Sequence, residues 1–282
     1  MSNQIKTGLL LGLLTAIILL FGRLLGGQTG LVIAFVLAVG MNVGSYWYSD
    51  RMVLAMYKAR RVERGEAPRL HAIVEELAHR AGMPKPAVYM IPQEAPNAFA
   101  TGRNPQNGVV AVTQGIMSLL TPEELKGVLA HEIGHIRNRD ILIQTVAATL
   151  AGTIMFVANM VQWAAIFGMG GDDEDGGNPF MALVLAIVAP IAAMLIQMGI
   201  SRSREYLADR AGAELSGNPL SLASALEKLN QYAKGMPMRG GSPASAHMFI
   251  VNPFSASSVG RLFSTHPPAE ERIKRLRRMA AG

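Results

Sequence analysis

Four stretches without a charged residue set the first limit on how this chain can fold. Residues 7–22 and 24–49 flank Arg23, and residues 141–171 and 176–201 flank the acidic run Asp172-Asp173-Glu174-Asp175. A helix rising 1.5 Å per residue needs about 20 apolar residues to cross about 30 Å of hydrocarbon, so the last three stretches suffice and the first is marginal alone. Half of the 282 residues are hydrophobic, more than a soluble domain of this length has to bury. These features predict four transmembrane helices, spans 1 and 2 within residues 1–50 and spans 3 and 4 within residues 141–201. A buried hairpin of a soluble core is the competing reading for the second pair. The uncharged run 141–171 is too long for that, and Pro190 is better tolerated in a packed membrane helix. The first stretch follows Lys6 as a secretory signal would, but no convincing small-x-small cleavage site follows and a second apolar span comes almost at once, so a retained anchor is expected.

The basic residues give the orientation. With four spans and both termini on one side, only Arg23 of the 26 lysines and arginines falls in a loop on the other side. The positive-inside rule then assigns residues 51–140, residues 202–282 and both termini to the cytoplasm. A basic face against anionic lipid accounts for the net charge of +6. No soluble module interleaves basic with aromatic residues, so no nucleic-acid partner is expected. The chain has no cysteine, which excludes disulfides, a thiol nucleophile and thiolate metal sites and leaves His, Asp and Glu as metal ligands.

Outside the spans, Tyr46-Trp47-Tyr48 suits a membrane-water interface, and Arg51 to Arg69 reads as a basic juxtamembrane stretch or a linker. Leu70, Ile73, Val74, Leu77, Ala78 and Ala81 recur at helical spacing up to Gly82 and Pro84, which stop the helix. His71 and His79 fall off that stripe and are expected on the surface. Ala87–Ile91, Asn97–Thr101 and Val109–Thr113 are short β-prone runs, and Arg103 to Gly108 makes a turn with an Asn-Gly signal. They predict a small antiparallel meander, whose edge could hold an extended peptide. Thr121-Pro122-Glu123-Glu124 supplies an N-cap, a first-turn proline and a capping-box glutamate, so a helix should begin at about Pro122.

That helix carries His131-Glu132-Ile133-Gly134-His135, the pattern H-E-x-x-H. Positions i and i+4 share a face, so both imidazoles can reach one ion with the Glu132 carboxylate beside it as general base. Leu125, Val128, Leu129, Ile133 and Ile136 form an apolar stripe that limits water around such an ion. The helix is expected to run through Arg137-Asn138-Arg139-Asp140 straight into span 3, keeping the metal within a few turns of lipid. Past span 4, Glu205 and Asp209 again stand at i and i+4. Two histidines and the Glu205 carboxylate leave a position open for water, as a hydrolytic zinc requires. Asp209 is placed to accept the second N–H of a ligating histidine. Ordinary surface pairing with Arg202 and Arg210 is the alternative for both acids. Residues 235–260 read as a mobile loop or a lid, with His247 in it not a ligand. His266, in Ser264-Thr265-His266-Pro267-Pro268 ahead of a basic terminal helix, either points into a site or caps that helix.

On Ala130 to His135, Arg204 to Asp209, Asn97 to Gly102, Ser264 to Pro267 and the four-span layout, the chain resembles the HtpX family of membrane-bound zinc metalloproteases. It is more distantly similar to the CAAX prenyl endopeptidases of the same gluzincin superfamily. The resemblance covers nearly the whole chain. It implies an α+β membrane protein with four transmembrane helices and a cytoplasmic, mainly helical zincin-like protease domain carrying a small antiparallel sheet. It further implies one Zn2+ on His131, His135 and Glu205, with Glu132 as base and Asp209 behind the ligands. Asn97, Ala98, Phe99 and Ala100 would be the substrate-holding edge strand, and His266 would stabilise the tetrahedral oxyanion. The implied activity is endoproteolysis of damaged or misfolded membrane proteins at the cytoplasmic face of a bacterial inner membrane, within the stress response. The rival class is a membrane adaptor or holdase with a structural zinc, closed by His266 as fourth ligand. A transporter is disfavoured by the few strongly polar residues in the spans, such as Asn42, Gln144, Asn159, Gln162 and Gln197.

Overall fold

The computed structural model describes residues 3–166, 188, 204–235, 250 and 267–281. They divide into two units, Met1–Ser45 with Ile143–Ile200 and Tyr46–Leu142 with Ser201–Gly282.

In the first unit, α1 (Asn3–Trp47) is a helical hairpin rather than one rod, because the backbone leaves helical geometry at Gly26 and at Gly27, whose φ is 56°. The reversal comes just after Arg23, at a pair of glycines that can adopt it without strain. The legs Ile5–Leu24 and Gly26–Gly44 are each long and apolar enough to cross a membrane. They meet closely, since a methyl group on Gly22 would lie 2.6 Å from the Gly30 carbonyl oxygen. Asn42 Nδ2 donates to Thr15 Oγ1 across the same seam at 2.8 Å. Small residues and a polar bond are what hold helices together where burial against lipid gives no advantage. Helix α6 (Asp140–Ile166) is continuous over 27 residues and covers most of the third expected span. The fourth expected span and the acidic run lie outside the described residues, Val188 apart.

The second unit is built on a four-stranded sheet with strands β1 (Arg60–Arg61), β2 (Ala87–Ile91), β3 (Ala98–Thr101) and β4 (Val109–Thr113) in the order β1-β2-β4-β3. Period-two alternation sorts its side chains. Ile91, Phe99, Val109 and Ala111 pack with Leu54 and Tyr57 of the segment containing α2 (Ser49–Met56). Val88, Ala98, Val110 and Val112 face the main core with α3 (Pro68–Arg80) and α5 (Pro122–Asn138). The short α4 (Gln114–Leu119) follows β4, and α7 (204–216), α8 (Pro219–Gly235) and α9 (Ala269–Ala281) complete this unit.

Three expectations are corrected. The sheet is mixed rather than an antiparallel meander, because β4 inserts beside β2 and runs parallel to it while β3 pairs antiparallel with β4 alone. This puts β3 at the edge, where a meander would have made it central. His71 is buried rather than on the surface, its Nε2 3.0 Å from the Val62 carbonyl oxygen, since the chain before α3 folds back over that side of the helix. Helix α5 does not run into α6: it ends at Asn138, and Arg139 takes the left-handed conformation at φ 57°. The start of α5 is as expected. Thr121 Oγ1 accepts the Glu124 N–H while Glu124 Oε2 accepts the Thr121 N–H. Glu124 is held in turn by Ser224 and Lys228 of α8, at 2.6 and 2.7 Å. Replacing an N-cap threonine by alanine costs about 1 kcal/mol. Thr121→Ala should therefore lower stability by about 1 kcal/mol or somewhat more, read as a lower unfolding midpoint in detergent with zinc content unchanged.

Candidate metal centre

Helix α5 carries both histidines of the motif inward, so His131, Glu132 and His135 are all buried. Helix α7 crosses it closely enough to bring Glu205 to the same point. The crossing depends on Gly212, where a Cβ would lie 2.9 Å from the His131 backbone nitrogen. His131 Nε2 is 3.5 Å from Glu205 Oε2, and His135 Nε2 is 3.4 Å from Glu205 Oε1. These separations fit a cation. Tetrahedral zinc with bonds of about 2.0–2.1 Å has donor atoms about 3.3 Å apart. Ligand atoms of His131, His135 and Glu205 all lie within 4.8 Å of one another, so the three can hold one metal ion.

The far side of each ring is also held. His131 Nδ1 faces Asp209 Oδ1 at 3.0 Å, and His135 Nδ1 faces Asp140 Oδ2 at 3.3 Å. With a metal ion in place, a proton on each Nδ1, donated to its carboxylate, would leave each Nε2 lone pair free for the ion. Both carboxylates are in turn clamped by arginine. Arg272 of α9 grips Asp209 with Nε at 2.9 Å and Nη2 at 2.7 Å, and its Nη1 is 3.2 Å from Glu205 Oε2. Arg204 donates to Asp140 through a short hydrogen bond. Arg272 is 1% exposed, so this is a buried ionic cluster.

Its electrostatics follow from burial set against charge. Burial disfavours the charged form of His135, but the Asp140 and Glu205 carboxylates outweigh it and push the ring up to about 10. His131 is raised too, because Asp209 and Glu205 overcome burial and the Arg272 charge. Burial raises the Glu132 carboxyl above the usual carboxylate range, against the opposing pull of the two histidines. Burial acts the same way on Asp209, yet Arg272 and His131 hold it below its ordinary value.

The Glu132 carboxylate also meets the sheet, Oε2 accepting the Ala100 N–H at 2.8 Å. Along β3 the backbone of Asn97 bonds to Thr113 at the β4 side, so by alternation the backbone groups of Ala98 and Ala100 face the open edge. Asn97 is buried and its Oδ1 accepts the Ile250 N–H at 3.3 Å, while the Ile250 carbonyl accepts from Arg272 Nη1 at 3.0 Å. The Phe99 ring packs on the other face of the sheet against Tyr57, with centroids 5.4 Å apart. His266, and residues 236–260 other than Ile250, lie outside the described residues.

Arg272, Asp140 and Arg204 are the members of this cluster that the sequence reading did not single out. Arg272 looked like one more basic residue of a solvated terminal helix. Its signal was its place, one of the few positions of α9 in register with Ile273 and Leu276 at the buried side. Removing one member of a buried ionic cluster costs about 3–5 kcal/mol. Arg272→Met should therefore destabilise the protein by about that amount and weaken zinc binding without touching a ligand, measured by thermal unfolding and chelator competition.

Residues 65–280 match Peptidase family M48. The chain is 57% identical to the Protease HtpX homolog of Syntrophobacter fumaroxidans over 282 residues, which cover 99% of this chain and 100% of that one. It is 58% identical to the Protease HtpX homolog of Persephonella marina, covering 99% and 98%. The counterpart in Pyrococcus furiosus is 56% identical, covering 98% and 96%. The crystal structure of S. mikatae Ste24p has a similar fold, with a TM-score of 0.54 at 21% identity, covering 94% of this chain and 62% of that one. With a histidine pair and a glutamate assembled as a metal site inside the matched region, the chain belongs to peptidase family M48 and is a metalloprotease similar to the HtpX proteases.

Proposed function

We propose that this metalloprotease is a zinc-dependent endopeptidase, anchored in a bacterial inner membrane by four spans, that cuts misfolded or damaged membrane proteins at the cytoplasmic face. The observation that carries the catalytic part is the convergence of His131, His135 and Glu205 within 4.8 Å, with Glu132 on the same helix turned to the sheet edge. Two neutral nitrogens and one carboxylate are the donor set of an open, hydrolytic zinc site. Zinc held there supplies a Lewis acid that lowers the pKa of a coordinated water to about 7 and polarises a peptide carbonyl.

The chain's own residues do the rest. Glu132, its carboxyl raised by burial, takes the proton of the attacking water and returns it to the leaving amine. Asp209 and Asp140 fix the histidine tautomers, and Arg272 and Arg204 fix the two aspartates. An extended substrate lies along β3, using the outward backbone groups of Ala98 and Ala100, with Asn97 and Phe99 anchoring the strand from its two sides. As substrate settles, the Ala100 N–H exchanges Glu132 for the peptide, which frees the base for its task. His266, six residues before Arg272 in the chain, is assigned to the oxyanion. The membrane part is supported by the two apolar legs of α1, by the 27-residue α6 and by the distribution of lysine and arginine.

Protein purified in detergent without metal should cleave casein or an unfolded membrane protein once zinc is added. Glu132→Gln should bind zinc equally but lose about 10²–10⁴ in rate, whereas His135→Ala and Glu205→Ala should lose zinc itself. Cleavage by Glu132→Gln at the parent rate would contradict the assignment. A second outcome follows from the metal-free state, in which His135 titrates at about 10 and is protonated at neutral pH. Zinc must displace that proton, so affinity should rise with pH up to about 10 and fall as the solution is acidified. Calorimetry at pH 7.5 in two buffers of different ionisation enthalpy should read about one to two protons released per zinc bound.

A further inference from the structure

A single residue, Tyr48, separates the end of α1 from α2 and is the N-cap of α2. Its two sides have different surroundings. Leu54 and Tyr57 are buried against Ile91, Phe99, Val109 and Ala111 of the sheet. Opposite them Tyr48, Met52 and Met56 form an i, i+4, i+8 stripe whose members are 50%, 64% and 59% exposed. With its inner side already satisfied by the sheet, α2 leaves an apolar outer face that nothing among the described residues covers.

Two observations say what does. The apolar leg Gly26–Gly44 stops two residues before Tyr46, so α2 starts within about one and a half helical turns, along the chain, of a segment able to cross a membrane. The exposed rings of Trp47 and Tyr48 mark the junction, as amphipathic aromatics do at a bilayer surface. The charge around the stripe is the other observation. Arg60 and Arg61 pair with Glu66 and Glu63, and beside the stripe Arg51 and Lys58 stand against the single acid Asp50. The Arg51 guanidinium lies 5.7 Å over the Tyr48 ring. Such a rim is drawn to anionic headgroups and repels a second copy of itself.

We infer that α2 lies in the headgroup boundary of the bilayer, its Tyr48, Met52 and Met56 stripe in lipid, as the foot on which the sheet stands. This rests on the membrane reading of α1 and deepens the proposed function by naming the part of a substrate that is reached. Tyr57, at the end of α2, packs on Phe99, and the N–H of the next residue, Ala100, holds Glu132. Edge strand and base are thereby held about one helix diameter, roughly 10 Å, from the lipid surface. Extended segments of membrane proteins just outside the bilayer lie at that height.

The chain has no cysteine, so single-cysteine variants of the full chain can each carry one environment-sensitive fluorophore. Met52→Cys and Met56→Cys test the foot. Val36→Cys tests the membrane leg, and Ala72→Cys on the exposed side of α3, across the sheet from α2, serves as the water-facing control. The labelled proteins are placed in phosphatidylcholine and phosphatidylglycerol vesicles containing lipids with a spin label near the headgroup or near the chain end. Zinc-dependent casein cleavage by each labelled protein checks that it is folded. The expected result is that labels at 52 and 56 lose most of their fluorescence to the shallow quencher, the label at 36 to the deep one, and the label at 72 to neither. Quenching at 36 with labels at 52 and 56 as bright as at 72 would overturn the foot while leaving the membrane leg intact. A blue shift at 52 and 56 without quenching would overturn it in favour of a protein partner. A label at 36 that no lipid quencher reaches would overturn the membrane reading itself, and this inference with it.

Discussion

Each imidazole at the heart of this protein is held from behind by a carboxylate that an arginine holds in turn. His131 has Asp209 and Arg272, and His135 has Asp140 and Arg204. A buried charge is costly to bring together and costly to break, so such a cluster has few alternative arrangements. That rigidity serves a metal site, where donor atoms must wait at the right separation before the ion arrives. It also ties distant parts of the chain together. Asp140 starts α6, Glu205 and Asp209 share α7, and Arg272 belongs to the last helix, so the centre closes only when all of these have folded.

The sheet provides the other half of the arrangement. Because β4 sits between β2 and β3, the strand nearest Glu132 keeps one side free of strand partners among the described residues. An unpaired edge is a liability in most proteins and a tool in a protease, since an extended peptide completes it. The left-handed residue Arg139 matters for a similar reason of placement. Had α5 continued as one helix, Asp140 would sit five residues along the same spiral from His135. The turn at Arg139 instead brings its carboxylate to within 3.3 Å of the ring.

Much of this was legible in the chain itself, for identifiable reasons. The capping box at Thr121, the stripe from Leu70 to Ala78 and the three β-prone runs are local signals, and local signals survive into the structure. The histidine pair was legible because a helix repeats its face at i and i+4. Glu205 and Asp209 were reached by the same periodicity together with the chemistry of an open zinc site. What could not be read was long-range. Strand order depends on which neighbour β4 finds, and runs of β-prone residues do not encode it. Arg272 looked like one more residue of a basic terminal helix, and Arg204 stood only as the first residue of a matched motif, since an arginine's partner lies far away in sequence. His71 looked polar and exposed because its acceptor, the Val62 carbonyl, belongs to backbone that sequence pattern leaves undefined.

The account depends on a single ion being gripped by two imidazoles and the Glu205 carboxylate inside that charged frame. X-ray absorption at the zinc edge on the protein loaded with one equivalent of metal reads this most directly. The result predicted is a four-coordinate first shell of nitrogen and oxygen at about 2.0–2.1 Å with outer-shell scattering from two imidazole rings. A first shell of oxygens alone, or one imidazole in the unaltered protein, would contradict it.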